Sequence, residues 1–404
     1  MEKLSRDNGQ EQQSSKLRPR RLLLCLDGVP HKLIEVAKSR GLFDRFGAPT
    51  RLLSPFPTMT NVALSAMLGA SPPAGYESLY FDRAAGELRG GIRKYLGRRT
   101  PDKIPSSYMD DLDYQEPLPF EFLIYVAPEK IWRADMQRFR ERFRSAPQNR
   151  DYFAFLKATD GLLHAQGPER LAIALESLDK ILREIQQYCG AETEIVMFSD
   201  HGMNLEENRR ANLASTLQRR GFRVVIPAFG LCSYAAVYCP DADQIPEIAL
   251  ACAEVTGIDF GIFKDAEAVI IESDRGQARI EYHPADESYR YVKMSGDPLE
   301  LSTFDDAFET ESLWFERTAG HRYPNAVPNI YKSLFTPRVK HTADILISLK
   351  DGFYCGWTPF GRFVRLAATH GNALQASSNA FLMSTHRQFA PFVRADEAKA
   401  LLRG

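Results

Sequence analysis

Glu194-Ile-Val-Met-Phe-Ser-Asp-His-Gly-Met203 sets ligand-type side chains directly behind a short apolar run. Ile195 to Phe198 are four apolar residues in a row, the pattern of a short strand buried on both faces of a parallel sheet. The run stops at Ser199, and Asp200, His201 and Gly202 follow at once. In open α/β sheets ligands bind beyond the carboxyl ends of the strands, which is where this carboxylate and imidazole would stand. Two adjacent ligand-type side chains diverge from one turn, so they serve one metal or bridge towards a second. From this stretch alone, an ordinary strand–loop junction with a chance Asp-His is an equal reading.

Composition frames the rest of the chain. Its 404 residues suffice for two or three units. The 51 Lys and Arg nearly balance 52 Asp and Glu, so no polyelectrolyte partner such as nucleic acid is implied. A hydrophobic content of 44% with 25% charged residues describes an ordinary soluble globular protein. Residues 1–20 are polar and read as a disordered tail. The apolar run Leu22 to Leu26, ended by Asp27, is too short for a signal sequence or a membrane span, even with Arg20-Arg21 before it. Six cysteines without a Cys-x-x-Cys pair read as reduced packing residues of a cytoplasmic protein with no membrane attachment.

Taken in order, Arg21 to Leu26 predicts a first central strand with Asp27 at its carboxyl end, although Asp27-Gly28 also reads as a simple turn. A short helix over 32–40 and a strand over 50–54 follow. Thr60 then enters an apolar helix closed by Gly69. Its hydroxyl is either an N-cap or a group facing the free N–H groups and positive dipole end that favour phosphate. Residues 70–150 read as an insertion, with a strand at 121–126 and an amphipathic helix carrying Trp132, Met136, Phe139 and Phe143 inward and five arginines outward. Asp160 and His164, four residues apart, can face one side of a helical turn. A long helix over 169–188 leads into the Ile195 strand, and this alternation of strand, ligand pair and helix predicts an α/β fold with a doubly wound, mostly parallel central sheet. A polar helix over 205–220 and a strand over 222–226 complete this half. Residues 227–300 read as a small α+β insertion or cap with a hairpin turn at Ser273 to Gly276. The core, spanning 21–226 and 301–390, resumes with a strand over 343–349 and places His370 on a loop.

Asp27, Thr60, Asp160, His164, Asp200, His201 and His370 thus fall at strand ends, helix starts and loops. In order and content they resemble the alkaline phosphatase superfamily, and within it the type I phosphodiesterase/nucleotide pyrophosphatase branch. The matching pieces are Asp27-Gly28, Thr60 at a buried helix, Asp160-x-x-x-His164-x-x-Gly167-Pro168, Ser199-Asp200-His201-Gly202-Met203 and Thr369-His370-Gly371. The resemblance covers roughly residues 20–385. It implies that Asp160, His164 and His370 hold one metal. Asp27, Asp200 and His201 would hold a second, with Thr60 Oγ as an added ligand and the nucleophile. Carboxylate and imidazole ligands suit Zn²⁺, with Mn²⁺ or Fe as other candidates. Three carboxylates against two divalent ions leave about +1, which accepts an anionic phosphate, and two metals ~4 Å apart stabilise in-line displacement. The expected reaction is hydrolysis of a phosphodiester or pyrophosphate in a phosphorylated small molecule, through a phosphothreonine. Asn61 would contact a non-bridging oxygen through its amide or backbone N–H.

Two departures bear on substrate choice. Diesterases of this branch carry Thr-Phe-Pro-Asn where this chain has Thr60-Asn-Val-Ala, and a phosphate-binding Asn some twenty residues on is missing from Tyr76 to Asp82. The Thr-Asn pair is similar to phosphonoacetate hydrolase-like members, which keeps C–P cleavage open. A metal-dependent phosphomutase or phosphotransferase on the same fold, and a non-catalytic binding protein on this scaffold, are the remaining alternatives. The Cys-x-Pro-x-Arg motif of sulfatases is absent.

Overall fold

The computed structural model describes residues 20–91, 113–115, 126–228, 230–302, 306–356 and 366–403. Two seven-stranded sheets carry most of the described chain. The central one runs Phe392–Arg394, Thr50–Leu53, Asn379–Ser384, Ile195–Phe198, Leu22–Leu26, Tyr152–Leu156, Asp113–Gln115. Leu22–Leu26 lies between Tyr152–Leu156 and Ile195–Phe198 and is parallel to both. Asn379–Ser384 runs antiparallel to its two neighbours.

Every residue of Leu22–Leu26 is buried because helices cover both faces of this sheet. Leu22, Leu24 and Leu26 point to one side, against helices His31–Ser39, Pro128–Ser145, Ala158–Gln166 and Pro168–Cys189. Leu23 and Cys25 point to the other, against helices Thr60–Leu68 and Ala395–Arg403. The alternation is the two-residue period of a strand. Each fully buried leucine contributes about 1.5–3 kcal/mol of transfer free energy. The α/β class expected from the sequence is the one observed.

The second sheet is antiparallel throughout, in the order Tyr234–Val237, Ile345–Leu349, Ile258–Asp265, Ala268–Ser273, Gly276–His283, Ser288–Gly296, Glu309–Thr310. Helices Ile245–Ala253 and Ala326–Phe335 pack on it. The predicted hairpin at Ser273 to Gly276 is present.

Several expectations need correction. Ile345–Leu349, expected in the central sheet, pairs with Tyr234–Val237 and Ile258–Asp265 in the second. A run apolar on both faces shows that it is sandwiched, not which sheet does the sandwiching. Residues 222–226 reduce to one bridge, Val225 to Tyr238, because Phe222, Val224 and Ile226 lie against side chains without a neighbouring strand over their length. The helix expected over 205–220 shortens to Leu213–Arg219, behind a two-residue strand Arg209–Arg210. Helix Pro128–Ser145 sends Trp132, Met136, Phe139 and Phe143 into the central core. Its outer arginines are partly paired, as in Arg140 to Glu184 at 2.8 Å. The strand expected at 121–126 lies, Val126 apart, outside the described residues. No described helix is long and apolar enough to cross a membrane.

Candidate metal centre

The centre forms where three parallel strands end together. Asp27 follows Leu26, and its N–H donates to Leu156 O at 3.1 Å across the strand pair. Thr159 Oγ1 donates to Asp27 O at 2.6 Å. Gly28 then turns with φ +69° and donates its N–H to Asp200 Oδ1 at 3.0 Å. A Cβ there would stand 2.8 Å from Met203 Cε and 3.0 Å from Asp160 Oδ1. Positive φ and close approach both call for glycine, so Asp27-Gly28 locks the site and is no mere chain reversal.

Ser199, Asp200 and His201 leave the Ile195–Phe198 strand in the same way. Ser199 Oγ donates to Val29 O at 2.7 Å. Gly202 donates its N–H to Ser377 O at 2.8 Å, and a Cβ on it would meet Ala376 O at 2.3 Å and Asn379 O at 2.6 Å. Asp160 and His164 sit one turn apart on Ala158–Gln166. His370 comes from the loop before Asn379–Ser384.

All seven residues singled out in the sequence meet here. His164 Nε2 lies 3.2 Å from Asp160 Oδ1, and His370 Nε2 lies 3.6 Å from the same oxygen. His201 Nε2 is 3.4 Å from Asp200 Oδ2 and 3.6 Å from Asp27 Oδ1. Thr60 Oγ1 is 3.3 Å from Asp27 Oδ1 and 3.3 Å from His201 Nε2. Two triads close to within 4.8 Å, Asp27 with Asp200 and His201, and Asp160 with His201 and His370. His201 therefore stands between the groups, its ring stacked on His370 at 3.8 Å between centroids.

The three histidines share one arrangement. Nδ1 of His164 faces Ala368 O at 2.8 Å, Nδ1 of His201 faces Gly202 O at 3.0 Å, and Nδ1 of His370 faces Thr58 O at 2.8 Å. Carbonyl oxygens only accept, so each Nδ1 carries the proton and each Nε2 presents a lone pair to the centre. Metal-binding histidines are oriented in this way. Burial pushes His201 down to about 4. Burial, then the neighbouring His201, pushes His370 down to about 3. Both rings are thus held neutral.

The carboxylates show the strain of lying together. Burial, reinforced by Asp200 and Asp160, holds the Asp27 carboxyl well above the usual range. Burial raises Asp200 to about 6, against the pull of the Gly28 N–H and His370. Burial also acts on Asp160, but His164, His370 and His201 together outweigh it and hold that carboxyl low. Asp200 Oδ2 is buried without a hydrogen-bond donor among the described residues. Three buried carboxylates, neutral imidazoles with inward lone pairs and a donorless oxygen fit divalent cations.

Two sequence readings resolve. Met59, not Thr60, occupies the N-cap position, and the Thr60 hydroxyl points at the ligand cluster instead of capping the helix. The Asn61 amide donates to Gly75 O at 3.0 Å. Its backbone N–H is in the first helical turn, where no intrahelical acceptor exists. His31, close behind Asp27 in the chain, is buried, with Nε2 against Pro49 O at 3.1 Å and Nδ1 3.2 Å from Glu35 Oε2. The carbonyls of Ala368, Thr58 and Gly202 that orient the histidines had no sequence signal, since any residue type supplies one.

The family model for type I phosphodiesterase/nucleotide pyrophosphatase matches residues 87–256, which include Asp160, His164, Asp200 and His201. No curated protein matches the chain in sequence. Among solved structures, phosphonoacetate hydrolase from Sinorhizobium meliloti 1021 in complex with phosphonoacetate shares the fold with a TM-score of 0.56 and 14% identity, over 95% of each chain. Human ectonucleotide pyrophosphatase/phosphodiesterase 5 does so with a TM-score of 0.53 and 12% identity, over 95% of this chain and 93% of that one. An inactive murine form in complex with AMP gives 0.52 and 12%, over 95% and 94%. The resemblance carried by the motifs is borne out as a resemblance: the family model matches residues 87–256, and the fold is shared with these solved structures.

Proposed function

We propose that the protein hydrolyses phosphoric esters, diester or pyrophosphate bonds in phosphorylated small molecules, with two divalent ions and Thr60 as nucleophile. The observation that carries this is the position of Thr60 Oγ1, at a helix start but 3.3 Å from both Asp27 Oδ1 and His201 Nε2. A hydroxyl serving the helix would turn to its backbone N–H groups; this one turns to the ligands.

Asp160, His164 and His370 would hold one ion and Asp27, Asp200 and His201 the other, with His201 close enough to reach both groups. Zn²⁺ suits this set, with Mn²⁺ or Fe as alternatives. The ions supply positive charge for the attacking and leaving oxygens of an in-line displacement. The rest falls to the chain. The Thr60 hydroxyl gives up its proton, for which Asp27 Oδ1 is within reach, and its oxygen bonds to phosphorus as the ester P–O bond breaks. The departing alkoxide takes a proton, and the phosphate remains on Thr60. Water then attacks that phosphorus, the Thr60 oxygen leaves, and the hydroxyl is restored. Backbone N–H groups at the start of helix Thr60–Leu68, Asn61 among them, would present the positive end of the helix dipole to the phosphate.

Thr60→Ala tests this directly. Its ion content is expected to equal wild type, while turnover of an aryl phosphodiester falls by at least about 10³-fold, in the range seen when a nucleophile is removed. A Thr60→Ala variant as active as wild type contradicts the assignment. Phosphonoacetate and an aryl monoester in the same assay separate C–P and monoester cleavage from diester cleavage.

A further inference from the structure

Thr58 lies two residues before Thr60 and is wholly buried. Four hydrogen bonds tie it to the loop that carries His370. Its N–H donates to Gly371 O at 3.1 Å, and its carbonyl accepts His370 Nδ1 at 2.8 Å. Its Oγ1 accepts the Gly371 N–H at 2.9 Å and donates to Asn372 O at 3.0 Å. A hydroxyl has one proton to give and lone pairs to receive one, and both are in use.

The tie continues past Asn372. That residue is fully buried, and its amide donates to Leu349 O and Asp351 Oδ1, each at 2.9 Å. Its N–H donates to Ser233 Oγ at 3.1 Å. Leu349 ends a strand of the second sheet, and Ser233 stands just before another. The His370 loop is therefore held on one side by Thr58 and on the other by the second sheet.

We propose that Thr58 is a positioning residue that fixes the His370 imidazole relative to the start of the Thr60 helix, setting a metal ligand and the nucleophile as one rigid unit. This rests on the two-metal reading above. The hydroxyl carries the effect: the two backbone bonds survive any substitution, whereas the pair made by Oγ1 survives only in serine.

Thr58→Val and Thr58→Ser separate this role from simple packing. Both are prepared as the full chain, loaded with Zn²⁺ by equilibrium dialysis and measured for bound ion, with far-UV circular dichroism as a check on folding. Thr58→Val, equal in shape but without the hydroxyl, is expected to bind one of its two ions about 10- to 100-fold more weakly, as for loss of a group that orients a ligand. Thr58→Ser is expected to bind both as wild type does. A packing role predicts the reverse, with Val tolerated and Ser impaired, and that result overturns the proposal. Thr58→Val with wild-type affinity for both ions overturns it too. If Thr58→Val does not fold, Thr58→Ser decides alone: wild-type affinity supports the role, and a loss of ten-fold or more contradicts it. The readout is bound ion, so a failure of the nucleophile reading shows up elsewhere, as an active Thr60→Ala variant.

Discussion

Asp200, His201 and Gly202 show how closely single residues are constrained here. Gly202 has an ordinary backbone conformation, yet two carbonyl oxygens occupy the space where a Cβ would go. Neither is the end of a flexible side chain, so relief requires backbone movement next to His201. Gly202→Ala is expected to cost about 1–3 kcal/mol of stability, the range for overpacking a filled core, read from urea unfolding midpoints at constant slope. Because the displaced segment carries two of the proposed ligands, ion affinity is expected to fall as well. Wild-type stability in that variant would mean the Ala376 and Asn379 carbonyls yield easily. The same scale separates residue types by legibility. Carboxylates and imidazoles announce themselves by their chemistry, and the six that come together here were all singled out in the sequence. What orients them is largely main chain, and a carbonyl oxygen leaves no trace in residue identity.

The elements around the site differ in how well sequence reading located them. Leu22–Leu26 and Ile195–Phe198 were legible because strands buried on both faces are short, uninterrupted apolar runs. Tyr152–Leu156 is of the same kind. Ile345–Leu349 has the same texture and belongs to the other sheet, since partner choice depends on topology that periodicity does not encode. Asn379–Ser384, the antiparallel strand beside Ile195–Phe198, was not anticipated at all; only the single helical turn Gln375–Ser378 separates it from the His370 loop, too short to show in a strand–helix rhythm. Helix Pro128–Ser145 holds a further element-level feature. Asp135 on its inner face is buried against the start of Ala158–Gln166, the helix bearing Asp160 and His164, and burial pushes it up to about 7. Among the described residues, neither of its oxygens finds a hydrogen-bond donor of normal geometry. A folded-state pKa raised above the unfolded one means the folded chain holds the extra proton. Stability is full below about pH 4 and declines as pH rises to about 7. The loss is of the order of 3–4 kcal/mol. Asp135→Asn is expected to remove that decline, so that thermal unfolding of the variant at pH 8 exceeds wild type. Parallel pH profiles for the two proteins would contradict it.

For the molecule as a whole, the centre joins the two sheets through the His370 loop, and its cations would neutralise carboxylates that otherwise repel. Ion binding competes with protons. Asp200, raised to about 6, is protonated at pH 5 and ionised at pH 7.5. A chelator is therefore expected to lower the melting temperature strongly at pH 7.5 and little at pH 5. At pH 7.5 an ion present at a thousand times its dissociation constant contributes about 4 kcal/mol. Equal chelator effects at the two pH values would place the ions elsewhere. The central claim, that Asp27, Thr60, Asp160, His164, Asp200, His201 and His370 form a two-metal centre for phosphoryl transfer, meets its most direct test in elemental analysis. The purified chain and its Asp200→Asn variant are measured by inductively coupled plasma mass spectrometry, alongside aryl phosphodiester turnover. Close to two divalent ions per wild-type chain are expected, fewer in the variant, and turnover that falls with them. Turnover that persists in both proteins after chelation, with no bound ion, would contradict it.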